Sequence, residues 1–290
     1  MFPARTRTAS VLIAQALCTG AVLTVVATAA PASAATNVPC SPAALAAAIT
    51  TANGSGGDLL LAPGCVYTLT TPLPAVTGTI TVNARHSTLT RAATAPSFGI
   101  LAVAPGGSLT LAGAVVTNGD APDFGGGIAN RGTLKVTGST IRGNHANFSG
   151  GIGGGTGSTT TIENSAITNN TANVNGGGVA NDGTMTISTS RIIGNTAVGG
   201  VGGAAANDGS LAITRSIVNE NTAHRAGGVA NVGGGTTTVT STIVNANTAA
   251  VAPGGVLNTG GSVTLTTTLV RGNQPTNCAG GDVPVANCAN

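Results

Sequence analysis

Asparagine recurs along this chain at an almost constant interval, at Asn118, Asn144, Asn170, Asn195, Asn221, Asn247 and Asn273, with gaps of 26, 26, 25, 26, 26 and 26 residues. A self-similar unit of this length marks a solenoid, in which each repeat buries its apolar face only by stacking on its neighbours. An aliphatic residue stands three positions before each asparagine, in Val115, Ile141, Ile167, Ile192, Val218, Val244 and Val270. Another stands five further back, in Val136, Ile162, Ile187, Ile213, Val239 and Leu265, and two before that lie Leu134, Thr160, Met185, Leu211, Thr237 and Val263. Side chains alternating at a period of two describe a strand with one face inward. The intervening Lys135, Thr161, Thr186, Ala212, Thr238 and Thr264 suit its outward face.

Between strands a corner recurs, as in Gly125-Gly-Gly-Ile-Ala-Asn130, Gly176-Gly-Gly-Val-Ala-Asn181 and Pro253-Gly-Gly-Val-Leu-Asn258. Glycine suits a coil that turns closely against the coil above it. A second asparagine column follows at Asn130, Asn181, Asn207, Asn231 and Asn258, broken by glycine in Ser149-Gly-Gly-Ile-Gly-Gly154. Identical amides stacked about 4.8 Å apart can bond to one another along the axis, so both columns read as structural ladders.

Gly-Gly-aliphatic-x-Asn corners followed by an aliphatic-x-x-Asn strand end resemble the repeats of right-handed parallel β-helix proteins of the pectin-lyase-like class, in particular those of polymorphic outer-membrane proteins. The resemblance covers about Gly99 to Asn273 and, more loosely, the chain from Leu59. It implies an all-β, single-stranded right-handed parallel β-helix of about eight coils. It implies no particular activity, since one scaffold carries lyases, hydrolases, adhesins and tailspikes. Those outer-membrane proteins end in a translocating barrel, which the residues up to Asn290 do not supply, so self-delivery to an outer membrane is not expected. Ten Arg against one Lys, with abundant Ala and Gly, fits a GC-rich bacterial genome.

Residues 1–34 read as an export signal: Arg5 and Arg7, an apolar stretch from Val11 through Val26, and Ala32-Ser33-Ala34 as the cleavage site. A secreted protein without a membrane span is expected. Cys40, Cys65, Cys278 and Cys288 then remain, and in an oxidising compartment Cys40–Cys65 and Cys278–Cys288 are the economical pairs. Ser41-Pro42 is a helix-start pair, and Ala43 to Ala52 is helix-competent, so residues 35–56 form an N-terminal cap. The β-helix takes 57–277, and 278–290 form a disulfide-closed tail.

Function is far less legible. Eleven basic residues, two of them in the leader, nearly balance eight acids, and only five aromatic residues occur. That balance argues against a nucleic-acid partner. No metal or cofactor is expected. The nearest catalytic grouping is Asp120, Asp123, Arg142 and His145, one coil apart, although an Asp pair in a loop is first a turn former. Asp182 and Asp208 stack as a weak cation-binding alternative. Outward threonines such as Thr186, Thr238 and Thr264 raise an ice-binding array, which Lys135, Glu163 and Ala212 interrupt. Phe124 and Phe148 precede corners one coil apart and are expected to stack. The reading that results is a monomeric, non-catalytic exported β-helix acting on an extracellular surface, polysaccharide or protein. A polysaccharide lyase or glycoside hydrolase is the first alternative.

Overall fold

A computed structural model describes residues 35–289; the segment 1–34, expected to be an export signal, lies outside the described residues. The chain winds as a right-handed parallel β-helix built from four parallel sheets of ten, nine, six and seven strands. One coil runs through Thr133–Thr137, Thr140–Arg142, His145–Phe148 and Ile152–Gly154, and the next begins at Thr159–Glu163. Each strand pairs in register with its counterpart one coil on, as Val136 does with Ile162 and Ile141 with Ile167. The ten-strand sheet holds Thr36–Val38 and nine coil strands, so the solenoid has about nine coils rather than eight. The coils before Gly99 lack the asparagine columns that make the later ones countable.

Alternation does what the period of two requires. Val136, Ile162, Ile187, Ile213 and Val239 are fully buried, as are Ile141, Ile167, Ile192, Val218 and Val244. The first regular coil is a correction. Val116, not Val115, pairs with Ile141 and is buried. A shift of one residue exchanges the two faces of a strand.

The same shift removes Asn118 from the first ladder. Asn118 is exposed, and its amide donates to Thr90 Oγ1 at 2.9 Å. Its place is taken by Gly119, whose N–H donates to Asn144 Oδ1 at 2.9 Å. From Asn144 the column is continuous: each Nδ2 donates to the next Oδ1, ending with Asn247 to Asn273 at 2.9 Å and Asn273 to Asn277 at 3.0 Å. In the second column Asn181 donates to Asn207, Asn207 to Asn231 and Asn231 to Asn258. Asn130 meets no amide at Gly154 and donates instead to Thr160 Oγ1 at 2.9 Å.

A third column escaped the sequence reading. Ser139, Ser165, Ser190, Ser216 and Thr242 stand at the corner between the ten- and nine-strand sheets. Each hydroxyl accepts the backbone N–H one coil earlier, as Ser165 Oγ does from Ser139 N at 3.2 Å. Each also donates to the carbonyl two residues before it. Their spacing of 26, 25, 26 and 26 residues was visible. Serine is so common in turns that a period of it does not by itself mark a ladder.

The cap is a helix, Pro42–Ser55, in which Ser41 Oγ accepts the N–H of Ala44 at 3.4 Å and Gly56, at φ 68°, ends the last turn. Leu45, Ile49 and Ala52 are buried against the first coils. Asn53 fastens it by accepting from Thr77 N and donating to Ala75 O, both at 2.8 Å. Cys40–Cys65 and Cys278–Cys288 are disulfide-bonded. Among the described residues no helix is long and apolar enough to cross a membrane.

Candidate functional site

The seven-strand sheet has three-residue strands, so only the middle residue of each points outward. Those residues are Ala102, Ala129, Gly153, Ala180, Ala206, Ala230 and Leu257, in register from coil to coil. Such small side chains make a low floor, and longer loops rise on both sides of it. Over Ala180 and Ala206 the floor lies in a trough of about 860 Å³. Phe124, Phe148 and Asn175 stand on the wall that follows the six-strand sheet, and Thr156, Asp182 and Asp208 on the turns leading to the ten-strand sheet. A smaller recess of about 340 Å³ continues over Ala102 and Ala129 and shares Asp123, Phe124 and Arg131 with the first. Toward the last coil Leu257 and Ala230 are covered by Val201 and Val232.

Phe124 and Phe148, expected to stack, are paired in backbone register only. The ring of Phe124, however, reaches across to the next coil and occupies the space a side chain at Gly153 would need. The Arg131 guanidinium lies 5.4 Å from its centroid, a separation at which a cation is attracted to the ring face. Both residues line the boundary that the two recesses share.

Asp182 and Asp208 stack as the repeat requires, and both line the trough. Burial, and then the neighbouring Asp208 charge, hold the Asp182 carboxyl above the usual carboxylate range. No cluster of three or more His, Cys, Asp or Glu able to hold a metal occurs among the described residues.

Of the four residues grouped by the sequence, stacking unites two. His145 Nδ1 lies 2.8 Å from Asp120 Oδ1 in paired strands. Asp123 stands beyond an irregularity in that pairing and faces the trough, whereas Arg142 is exposed on the nine-strand sheet, across the Gly143–Asn144 corner. Three unanticipated residues complete the Asp120–His145 cluster: Ser97 Oγ donates to Asp120 Oδ2 at 2.6 Å, Arg91 Nη2 lies 3.8 Å from the same oxygen, and Asn173 Oδ1 is 3.1 Å from His145 Nε2. The Ser97 hydrogen bond, then that of His145, holds the Asp120 carboxyl below its ordinary range. The hydrogen bond to Asp120 holds the imidazole above its ordinary value. Both ring nitrogens face acceptors, an arrangement that suits the doubly protonated imidazolium.

On the ten-strand sheet Thr186, Thr238 and Thr264 share one outward column with Ala212, and a Lys135–Glu163 ion pair of 2.9 Å stands across the same face.

No protein-family model matches the chain, and no curated protein sequence matches it. Among solved structures, the crystal structure of pectate lyase Pel9A is similar over 82% of this chain and 72% of its own length, with a TM-score of 0.51 and 14% sequence identity. Identity this low carries the fold alone, and that fold is the pectin-lyase-like right-handed β-helix.

Proposed function

We propose that this is an exported, non-catalytic β-helix that works outside the cell by presenting a rigid surface for adhesion or recognition. The leader-like N-terminus and two disulfides support export. One observation carries the non-catalytic part: each side-chain N and O of the paired acid and base already has a partner within the protein. Asp120 uses one oxygen for His145 and the other for Ser97 and Arg91, while His145 spends its second nitrogen on Asn173. A general acid or base needs an atom within hydrogen-bond reach of substrate, and here those atoms hold neighbouring coils together. A likeness of the Gly-Gly-aliphatic-x-Asn corners to the repeats of polymorphic outer-membrane proteins would fit a surface role. An ice-binding role for the threonine face is weaker, because the Lys135–Glu163 pair breaks its regularity.

Purified protein incubated with acidic and neutral polysaccharides, with and without calcium, tests this reading. No new reducing ends and no unsaturated products are expected, together with retention on cell or matrix preparations. Turnover that Asp123→Ala abolishes with the fold intact would remove the non-catalytic reading in favour of a lyase or hydrolase. Failure to bind any surface would remove the adhesive one.

A further inference from the structure

We propose that the trough over Ala180 and Ala206 is a binding site for an uncharged glycan chain lying along the solenoid axis. The inference rests on the recognition role just described and names its ligand class.

Shape comes first. Residues lining the trough span from the Pro105 turn to the Val232 turn, five coil steps of about 4.8 Å each, or about 24 Å. A floor of Ala and Gly sunk between loop walls suits a linear polymer better than a compact small molecule. Its volume lies within the range of ligand clefts.

The placement of aromatic rings is independent of shape. Among the described residues, Tyr67 and Phe98 are buried in the core. The other two rings, Phe124 and Phe148, both line this trough, and Phe148 keeps 37% of its surface exposed. An exposed ring contributes nothing to a coil's core, whereas a wall ring offers an apolar face to the C–H side of a sugar.

Charge selects the class. Asp123, Asp182 and Asp208 give the lining a negative surplus that repels a polyuronate, and Arg131 stands between the two recesses, where a polycation would have to pass it. Uncharged hydroxyls satisfy both signs, since they donate to carboxylates and accept from a guanidinium.

Affinity electrophoresis of the whole protein through xylan, glucomannan and mixed-linkage β-glucan tests the proposal, with polygalacturonate and chitosan as charged probes and calcium added or chelated. Retardation by at least one neutral polymer is expected, with weaker or no retardation by either charged one. Phe148→Ala and the double change Asp182→Asn with Asp208→Asn should each weaken it about tenfold or more. Thr238→Ala, on another face, should leave it unchanged. Melting temperatures report whether each variant folds. The proposal is overturned if no neutral polymer retards the protein, if polygalacturonate or chitosan retards it more strongly, or if the trough variants bind like the parent. Loss of glycan binding with cell binding intact would sink this inference alone; cleavage of a bound neutral glycan would sink the non-catalytic reading and leave the site standing.

Discussion

Asn170 Oδ1 accepts two hydrogen bonds from Asn144, one from its side-chain amide at 2.9 Å and one from its backbone N–H at 3.1 Å. Asn195 does the same for Asn170, and Asn221 for Asn195. Each rung is buried, so removing one amide strands donors and acceptors on both neighbours.

Asn195→Ala is therefore expected to cost about 3 kcal/mol or more, because the Asn170 backbone N–H and side-chain amide both lose their acceptor and Asn221 Oδ1 loses one of its two donors. Asn118→Ala should cost about 1 kcal/mol or less, since Asn118 is exposed and off the column. Urea unfolding of the two variants checks this. Equal losses would show that position in the period, rather than the hydrogen bonds, sets the effect.

Gly154→Asn should stabilise the protein. Asn181 Oδ1 is buried without a hydrogen-bond partner, and Gly154 stands in register between Asn130 and Asn181. A Cβ there would approach Asn181 Oδ1 at 3.1 Å and Thr160 Oγ1 at 3.3 Å, both side-chain atoms able to yield slightly. An amide that closes the gap should contribute about 1 kcal/mol and raise Tm by about 2–4 °C. A lower Tm would mean that Thr160 already completes the corner.

The Asp120–His145 pair predicts a bounded pH window. With its pKa raised in the fold, His145 contributes stability fully below about pH 6.5, and that contribution is lost as pH rises through its elevated value. Asp120 behaves oppositely: its contribution is present above about pH 3.9 and is lost as pH falls through its depressed value. The pair should therefore support the fold most between those limits. In an NMR titration Asp120→Asn should bring the His145 pKa down; an unchanged value would refute the coupling.

Asp182 has the reverse sign for a carboxylate. Its raised pKa means that ionisation weakens the fold as pH rises from about 3.9 through the elevated value. Asp182→Asn should melt higher than the parent at neutral pH, and the difference should vanish in acid. A variant less stable at neutral pH would show that the Asp182 charge is compensated.

Loss of the Cys40–Cys65 bridge, which closes 25 residues, should cost about 3 kcal/mol, and loss of Cys278–Cys288, which closes 10, somewhat less. Thermal melts of Cys40→Ser and Cys288→Ser test the order.

The solenoid, its inward residues from Val136 onward, the capping helix after Ser41 and the ladders from Asn144 are all legible in the chain. Each depends on local alternation or on a short period that every coil repeats, and stacking then brings equal positions together. Asn118 shows the limit of that arithmetic. A gap of 26 matched the later repeats, but the first regular coil steps by 25, and pairing strands across the whole sheet selected Gly119.

The trough was beyond reach for a different reason. Asp182 and Asp208 are one period apart, but Phe124 and Arg131 sit at corners whose loops differ in length from coil to coil, so no period relates these two to the acids. Their convergence depends on where each loop leaves the sheet and on small Ala and Gly side chains that keep the floor low. The repeat by itself determined the scaffold, because backbone pairing and burial act identically in every coil; only the folded chain decided which irregular side chains share one face.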